Sequence, residues 1–197
     1  MKLTKSLFVS AVLFLSATGA QAAGFVQNGN YLTGQLKQHQ NYGPSQIRLQ
    51  VVSDRIIRVQ ATAEQSFRSK QSLIIVPQNS KAKYKVEEQG DDLIITTAAM
   101  RAVLNEATGQ ITFYDLKDQV LLKEVAQGGK TFKPFTVPDR EIGVDIAKVP
   151  EAQKHGWSWR ALFDSPDNEA FYGLGQHQSE ELNMKGKNED LFQYNTK

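Results

Sequence analysis

The stretch Ile47-Arg48-Leu49-Gln50-Val51-Val52-Ser53-Asp54-Arg55-Ile56-Ile57-Arg58-Val59-Gln60-Ala61 decides the fold class of this chain. Its first half alternates apolar and mostly polar residues, which is the period of a strand with one buried face. Ser53-Asp54 breaks the alternation, and a second β-forming run begins at Ile56. Two such runs on either side of a tight break predict an antiparallel β-hairpin.

The same rhythm continues on both sides of this hairpin. Short β-forming runs predict further strands at Tyr31–Leu36, Leu73–Val76, Tyr84–Glu87, Leu93–Thr97, Arg101–Leu104, Gln110–Tyr114, Val120–Lys123 and Trp157–Phe163. Turn residues separate these runs about every 8–12 residues, which is typical of a β-sandwich. No long helical period is present: Asp167–Phe171 is too short to count, and Val149–Gly156 is expected to be a loop. We therefore predict an all-β antiparallel sandwich.

The N-terminus has the features of a secretory signal peptide. Two lysines, Lys2 and Lys5, precede the apolar run Leu7–Leu15, and Ala20-Gln21-Ala22 is a small-residue cleavage site. The alternative, an uncut membrane anchor, is disfavoured because no longer apolar run follows, and the lack of Cys excludes a lipoprotein anchor. We predict a signal peptide over 1–22, one sandwich domain over 23–197, and a secreted or periplasmic location.

The charge balance argues against a nucleic-acid partner. The chain has 23 Lys+Arg and 21 Asp+Glu, and removal of Lys2 and Lys5 leaves 21 of each. A nucleic-acid-binding domain needs a basic face, whereas Lys81-Ala82-Lys83-Tyr84-Lys85 is more typical of a solvated strand edge. We expect no nucleic-acid partner and, after cleavage, no membrane span.

Catalytic constellations are missing from the sequence. The histidines His39, His155 and His177 lie far apart and there is no Cys, so we expect no metal site and no cofactor. A Gly-x-Ser-x-Gly elbow and a phosphate-binding loop are both absent. The acidic residues near the C-terminus are best interpreted as solvated loop charges: Asp164, Asp167, Glu169, Glu180, Glu181, Glu189 and Asp190.

The C-terminal part carries the most specific pattern. It reads Phe171-Tyr172-Gly173-Leu174-Gly175-Gln176-His177-Gln178, followed after a loop by Gln193-Tyr194-Asn195-Thr196. This pattern resembles the end of the N-terminal domain of glycoside hydrolase family 31, which includes α-glucosidases and α-xylosidases. The predicted hairpins at 47–59 and 104–115 are similar to that family's early hairpins. The resemblance implies a galactose-mutarotase-like β-sandwich.

The same resemblance implies a role within a larger enzyme. Family members carry their two catalytic carboxylates on a (β/α)₈ barrel that follows the sandwich, and the nucleophile pattern of an Asp followed by Met-Asn has no match here. The resemblance thus implies the accessory domain of a retaining α-glycosidase, inactive alone, with an α-linked oligosaccharide and a C-terminal barrel as partners. Two alternatives stay open: a stand-alone carbohydrate-binding sandwich and a structural envelope protein.

Asn195 and Thr196 are the substrate-binding candidates that the resemblance implies. They match a family pair that lies over the mouth of the barrel and contacts the sugar in the leaving-group subsite. The alternative is a local Asn turn with Thr starting the next strand. The family pattern itself consists of Tyr172, Gly173, Gly175, Gln176 and His177, and a structural role for His177 is favoured over a cleft-lining one.

Aromatic rings and amides are the usual tools of sugar recognition. Candidates by residue type are Trp157, Trp159, Tyr172, Gln176, Gln178, Asn183, Gln193, Tyr194 and Asn195. Trp157 and Trp159 are two positions apart and therefore face the same side of a strand. We expect them to pack in the sandwich core or between domains, with sugar stacking as the alternative.

Overall fold

The computed structural model of the protein describes residues 24–69, 81–127, 129–137, 145–173 and 181–189. Within these ranges the strands are β1 (Phe25–Asn28), β2 (Tyr31–Gly34), β3 (Gln46–Ser53), β4 (Ile56–Thr62), β5 (Lys85–Gln89), β6 (Asp92–Thr96), β7 (Arg101–Asn105), β8 (Ile111–Tyr114), β9 (Val120–Lys123), β10 (Lys130–Thr136) and β11 (His155–Ala161). The described helices are a 3₁₀ turn, Ile146–Lys148, and α1, Glu151–Lys154. No described helix is long and apolar enough to cross a membrane.

Within each sheet of the described chain, consecutive strands pair with each other. Sheet A has the order β1-β2-β3-β4, sheet B has the order β5-β6-β7-β8-β9, and β10 and β11 form a separate two-stranded ribbon. Every pairing is antiparallel. The predicted all-β antiparallel fold is confirmed, and so is the hairpin of β3 and β4, in which Leu49 pairs with Val59.

The core lies between sheets A and B. Alternation places every second side chain of a strand on the same face, so Ile47, Leu49 and Val51 of β3 all point inward and are fully buried. The complete buried cluster draws equally on the two sheets: Leu32, Ile47, Leu49 and Val51 from sheet A, and Leu93, Ile95, Leu104 and Ile111 from sheet B. Two packed antiparallel sheets that share one core form a β-sandwich.

Polar contacts also join the two sheets at their turns. The Thr97 hydroxyl, which is buried, donates to the Asp54 carbonyl in the β3–β4 turn at 2.6 Å and accepts from the amide of Met100 at 3.1 Å. Gly109 in the β7–β8 turn has a φ of +73°, and a Cβ there would come within 2.9 Å of Leu36. Glycine satisfies both the left-handed backbone and this close approach.

Several boundaries differ from the sequence prediction. β1 was not predicted, because Phe25–Asn28 is a short run beside the expected signal peptide. The predicted loop Val149–Gly156 contains α1 and the start of β11, since pairing with β10 extends that strand back to His155. Lys81, Lys83 and Lys85 are exposed, and Lys85 starts β5, an edge strand of sheet B, which agrees with the predicted solvated edge. The predicted strand Leu73–Val76 lies outside the described residues.

The expectation that Trp157 and Trp159 pack in the sandwich core is wrong. Both are in β11, which pairs with β10 in a separate ribbon, and the buried core cluster contains no residue of that ribbon. Their side chains remain 44% and 69% exposed. Alternation correctly predicted that they share a face, but it cannot tell which surface that face meets.

Candidate functional site

The ribbon of β10 and β11 presents an apolar face. Phe132 pairs with Trp159 and Pro134 pairs with Trp157, and directly paired residues lie on the same side of an antiparallel ribbon. All residues of β11 are exposed. Exposed indole rings at adjacent pairs are unusual on a solvated strand and mark a candidate contact surface. We call the side chains of Phe132, Pro134, Trp157 and Trp159 the aromatic face.

A buried ion pair fixes the base of the ribbon to sheet B. The ammonium of Lys130, the first residue of β10, contacts the Glu124 carboxylate, and both side chains are about nine-tenths buried. Lys130 Nζ also donates to the Gly109 carbonyl at 3.0 Å, and Glu124 Oε2 accepts from the Ile111 amide at 2.9 Å. The pair is therefore hydrogen-bonded on both sides, as a buried pair must be.

The surroundings of this pair act on the pKa of Lys130 in opposite directions. Burial lowers the pKa because it penalises the charged ammonium, and the Glu124 carboxylate opposes this by stabilising the charge. The net direction is downward, so desolvation is the larger effect. Loss of either partner would leave the other without compensation inside the protein.

Backbone contacts continue this attachment along the second strand of the ribbon and the segment after it. The Leu162 amide donates to the Gly129 carbonyl at 2.9 Å, and the Val125 amide donates to the Leu162 carbonyl at 3.2 Å. Phe163 forms an isolated antiparallel bridge with Glu124. The ribbon is thus held at its base, while its aromatic face stays accessible.

The far end of the ribbon is stabilised by α1. His155 places Nε2 2.9 Å from Glu151 Oε1 and Nδ1 3.2 Å from the Thr136 hydroxyl. Lys154, and to a lesser degree His155, lowers the pKa of Glu151. These exposed contacts assign His155 a structural role at the ribbon tip.

A second exposed apolar surface lies on β9. Val120, Leu121 and Leu122 are all exposed, and β9 is the edge strand of sheet B. Lys123, the last residue of β9, places its Nζ 3.2 Å from Oδ2 of Asp164. Long apolar edges promote association unless something covers them. This β9 edge and the aromatic face are joined to each other through the contacts of 123–125 with 162–164.

The C-terminal family pattern is only partly described. Tyr172 is 65% exposed, and Gly173 has a φ of +104°, which favours glycine. Gly175, Gln176, His177, Asn195 and Thr196 lie outside the described residues. The roles predicted for them stay predictions.

Asn183, which the sequence offered as a sugar-binding amide, stabilises the local backbone. Its Oδ1 accepts from the amides of Phe171 and Lys185, each at 3.0 Å. The Met184 amide donates to the Phe171 carbonyl at 2.7 Å, and the Met184 side chain is buried. Residues 181–187 are thereby attached to the start of the family pattern, next to the exposed Tyr172.

Sequence reasoning missed the features that depend on distant partners. Glu124 and Lys130 were not among the sequence candidates, because six residues separate them and no local pattern indicates that they pair inside the protein. Within the described ranges, no three His, Cys, Asp or Glu side chains lie close enough to hold a metal ion.

Comparison with known proteins places this architecture. Residues 46–197 match the family model described as the glycosyl hydrolase 31 N-terminal galactose mutarotase-like domain. A curated relative, an uncharacterized family 31 glucosidase from Pseudescherichia vulneris, is 24% identical over 159 residues, which cover 76% of this chain and 29% of the relative.

Two solved structures are also similar. A GH31 alpha-xylosidase from Xanthomonas citri superimposes with a TM-score of 0.67 at 34% identity, over 86% of this chain and 16% of that one. A GH31 alpha-xylosidase from a soil metagenome gives a TM-score of 0.55 at 23% identity, over 84% of this chain and 24% of that one, and supports the fold alone. The chain therefore spans less than a third of the length of these relatives.

Proposed function

Because the chain belongs to the glycosyl hydrolase 31 N-terminal galactose mutarotase-like domain family, we propose that it is the accessory domain of a retaining α-glycosidase. Its partners are an α-linked oligosaccharide and a catalytic (β/α)₈ barrel located C-terminal to it. The two reacting carboxylates belong to the barrel, so the sandwich positions and completes the site without performing the chemistry. The family match over residues 46–197 is the observation that carries this proposal.

The exposed surfaces support the barrel as a partner. An accessory domain that packs on a larger domain needs an apolar contact area, and the aromatic face and the β9 edge offer one. Tryptophan is enriched at such contacts because it contributes a large area and few rotamers. The ion pair at the ribbon base would keep this surface rigid before contact. The aromatic face thereby retains the inter-domain packing role predicted for Trp157 and Trp159.

The test compares two lengths of the protein. The protein with its proposed C-terminal barrel, here called the full-length protein, should release sugar from α-xylosides or α-glucosides. We would test α-xylosides first, because an alpha-xylosidase is 34% identical over this domain. Residues 23–197 alone should release none and should bind a hydrophobic dye through the surfaces that the barrel covers. Hydrolysis by 23–197 would contradict the proposal. A monomeric, dye-silent 23–197 that melts cooperatively and binds glycans would favour the stand-alone binding module.

Asn195 and Thr196 are the proposed sugar contacts of this domain. An amide supplies two donors and an acceptor, which suits sugar hydroxyls in a leaving-group subsite. Asn195→Ala in the full-length enzyme should lose roughly 1–3 kcal/mol of transition-state stabilisation on a disaccharide. The loss should be much smaller on an aryl glycoside, whose leaving group makes no such hydrogen bonds. Equal losses on both substrates, or none on either, would assign Asn195 a structural role.

Export completes the proposal. The signal peptide over 1–22 predicts a secreted or periplasmic enzyme whose mature chain starts at Ala23. N-terminal sequencing of the exported protein checks this directly, and an exported protein that still begins at Met1 would contradict it.

A further inference from the structure

The outer face of sheet A carries a polar depression that the proposed function does not use. Its volume is about 520 Å³, and it is lined by Asn28, Gly29, Asn30, Tyr31, Thr33 and Arg48. That volume falls within the usual range of small-molecule sites, roughly 300–1,000 Å³. Pairing of Asn28 with Tyr31 and of Thr33 with Arg48 places these side chains on the same face of adjacent strands.

Arg48 is the central group of this depression, and its position is fixed. Its guanidinium carbon lies 4.1 Å from the centre of the Phe67 ring and 5.4 Å from that of the Tyr31 ring. Its Nε donates to the Thr33 hydroxyl at 3.1 Å. Cation–π contacts and one hydrogen bond restrict the side chain before any ligand arrives, so less entropy is lost on binding.

Within the described ranges, no protein group bonds to the terminal nitrogens of Arg48. Among the residues that the structure describes, Arg48 forms no ion pair, and Thr33 is its one hydrogen-bond partner. None of the six lining residues is acidic. Arginine presents a planar fork that matches the geometry of a carboxylate. A restrained guanidinium without an acidic partner therefore favours a ligand that brings a carboxylate.

The rest of the lining suits hydroxyl groups. Asn28 and Asn30 contribute amides, and Thr33 and Tyr31 contribute hydroxyls. The hairpin turn that carries them is supported by the residue that precedes β5, because the Tyr84 hydroxyl donates to the Gly29 carbonyl at 2.8 Å. Asn30 is held by its Nδ2, which donates to the Val51 carbonyl at 3.2 Å. The polar groups around Arg48 are thus presented by a restrained backbone.

From these observations we propose that the Asn28–Thr33 hairpin and Arg48 form a binding site for a carboxylate-bearing sugar, a uronic acid within a glycan. Arg48 binds the carboxylate with its terminal nitrogens, and the surrounding amides and hydroxyls bind the sugar hydroxyls. The choice of a saccharide over another carboxylate rests on the proposed function, whereas the carboxylate itself rests on Arg48. No covalent step is involved.

The test measures binding to the full-length protein by calorimetry. The probes are α-1,4-linked digalacturonate, neutral α-1,4-galactobiose and acetate. Digalacturonate should bind at least about tenfold more tightly than either of the others, because only it offers both the carboxylate and the hydroxyls. Rising salt should weaken this binding. Equal affinity for digalacturonate and galactobiose, or for digalacturonate and acetate, would overturn the proposal.

Two substitutions at Arg48 and one control sharpen the result. Arg48→Gln should weaken digalacturonate binding roughly ten- to a hundredfold, the usual range for a lost charge-assisted hydrogen bond. Arg48→Lys keeps the charge but loses the planar fork, so it should give an intermediate loss. Arg58→Gln removes a charge from the same face, since Arg58 pairs with Gln50, without changing the lining. Arg58→Gln should preserve the affinity for digalacturonate. An equal loss of affinity in Arg58→Gln and Arg48→Gln would mean that general surface charge attracts digalacturonate, and it would overturn the proposed site.

Failure of this inference can be told apart from failure of the proposed function. Hydrolysis of neutral α-glycosides without digalacturonate binding would overturn the inference and leave the proposed function intact. Digalacturonate binding that depends on Arg48 in a protein without α-glycosidase activity would support the inference alone. Thermal melting of each variant checks that the fold is unchanged. If Arg48→Gln fails to fold, the digalacturonate affinity of Arg48→Lys decides the test instead.

Discussion

The sandwich and the ribbon use the same strand chemistry in opposite ways. In the sandwich, β3 and β7 bury their alternate apolar side chains against a facing sheet, and Ile47 and Leu104 are fully buried. In the ribbon, β10 and β11 also carry apolar side chains on one face, but no described sheet covers that face and Trp159 stays 69% exposed. Both regions form strands, but only the sandwich strands bury their apolar side chains. Burial therefore makes the sandwich the stabilising region and leaves the ribbon available to a partner.

The ion pair of Glu124 and Lys130 lies at the boundary between these regions. A sandwich needs no buried charge for stability, and a buried pair is weak evidence of stabilisation. Its two hydrogen-bond partners are Ile111 in β8 and Gly109 in the β7–β8 turn, whereas Lys130 belongs to the ribbon. The pair therefore specifies where the ribbon leaves the sandwich. The following predictions test this division by native-state hydrogen exchange of the full-length protein.

The largest effect is expected in the core. Leu104→Ala leaves a cavity at a fully buried position between the sheets, and it should lower the free energy of opening of β6–β8 by about 3–5 kcal/mol. Faster amide exchange in peptides from these strands measures the loss. Val26→Ala on β1, where the side chain is 71% exposed, is the control and should change the exchange of β6–β8 little. Equal effects from the two substitutions would mean that the sandwich is not the stability core.

An intermediate effect is expected at the boundary. Lys130→Met leaves the Glu124 carboxylate buried without its cation, which should cost about 2–4 kcal/mol, somewhat below the upper range for fully buried pairs. The loss should appear first in peptides of β10 and β11, because Lys130 begins the ribbon. The control is Lys123→Met, which breaks the half-exposed pair with Asp164 and should cost less than about 1 kcal/mol. A ribbon that exchanges normally in Lys130→Met would contradict the fixing role of the pair.

The smallest effect on the sandwich is expected from the aromatic face. Trp159→Ala should change exchange of β6–β8 by no more than about 0.5 kcal/mol, because the ring lies outside the core. If the aromatic face contacts the barrel, exchange should rise in β10 and β11 alone. A loss of protection in β6–β8 comparable to that of Leu104→Ala would show that the ribbon and the sandwich open as one unit.

Local strand patterns could be predicted from the sequence, whereas the exposure and the contacts of the site could not. The strands of the hairpin at 47–61 were predictable because period-2 alternation is a local property of the chain. The shared face of Trp157 and Trp159 was predictable for the same reason. Their exposure was not, because it depends on the absence of a facing sheet. Arg48 was identified only as an outward strand residue, since its ring partner Phe67 lies beyond the whole of β4.

The sequence by itself determined the strand class, the antiparallel hairpins and the family pattern at Phe171–His177. Each of these depends on residue type and short spacing. The tertiary structure alone decided three other features: the exposed aromatic face, the burial of Glu124 with Lys130, and the restraint of Arg48 by two rings. These features depend on which distant segments meet and on how much water is excluded where they meet, and short-range alternation carries no information about either.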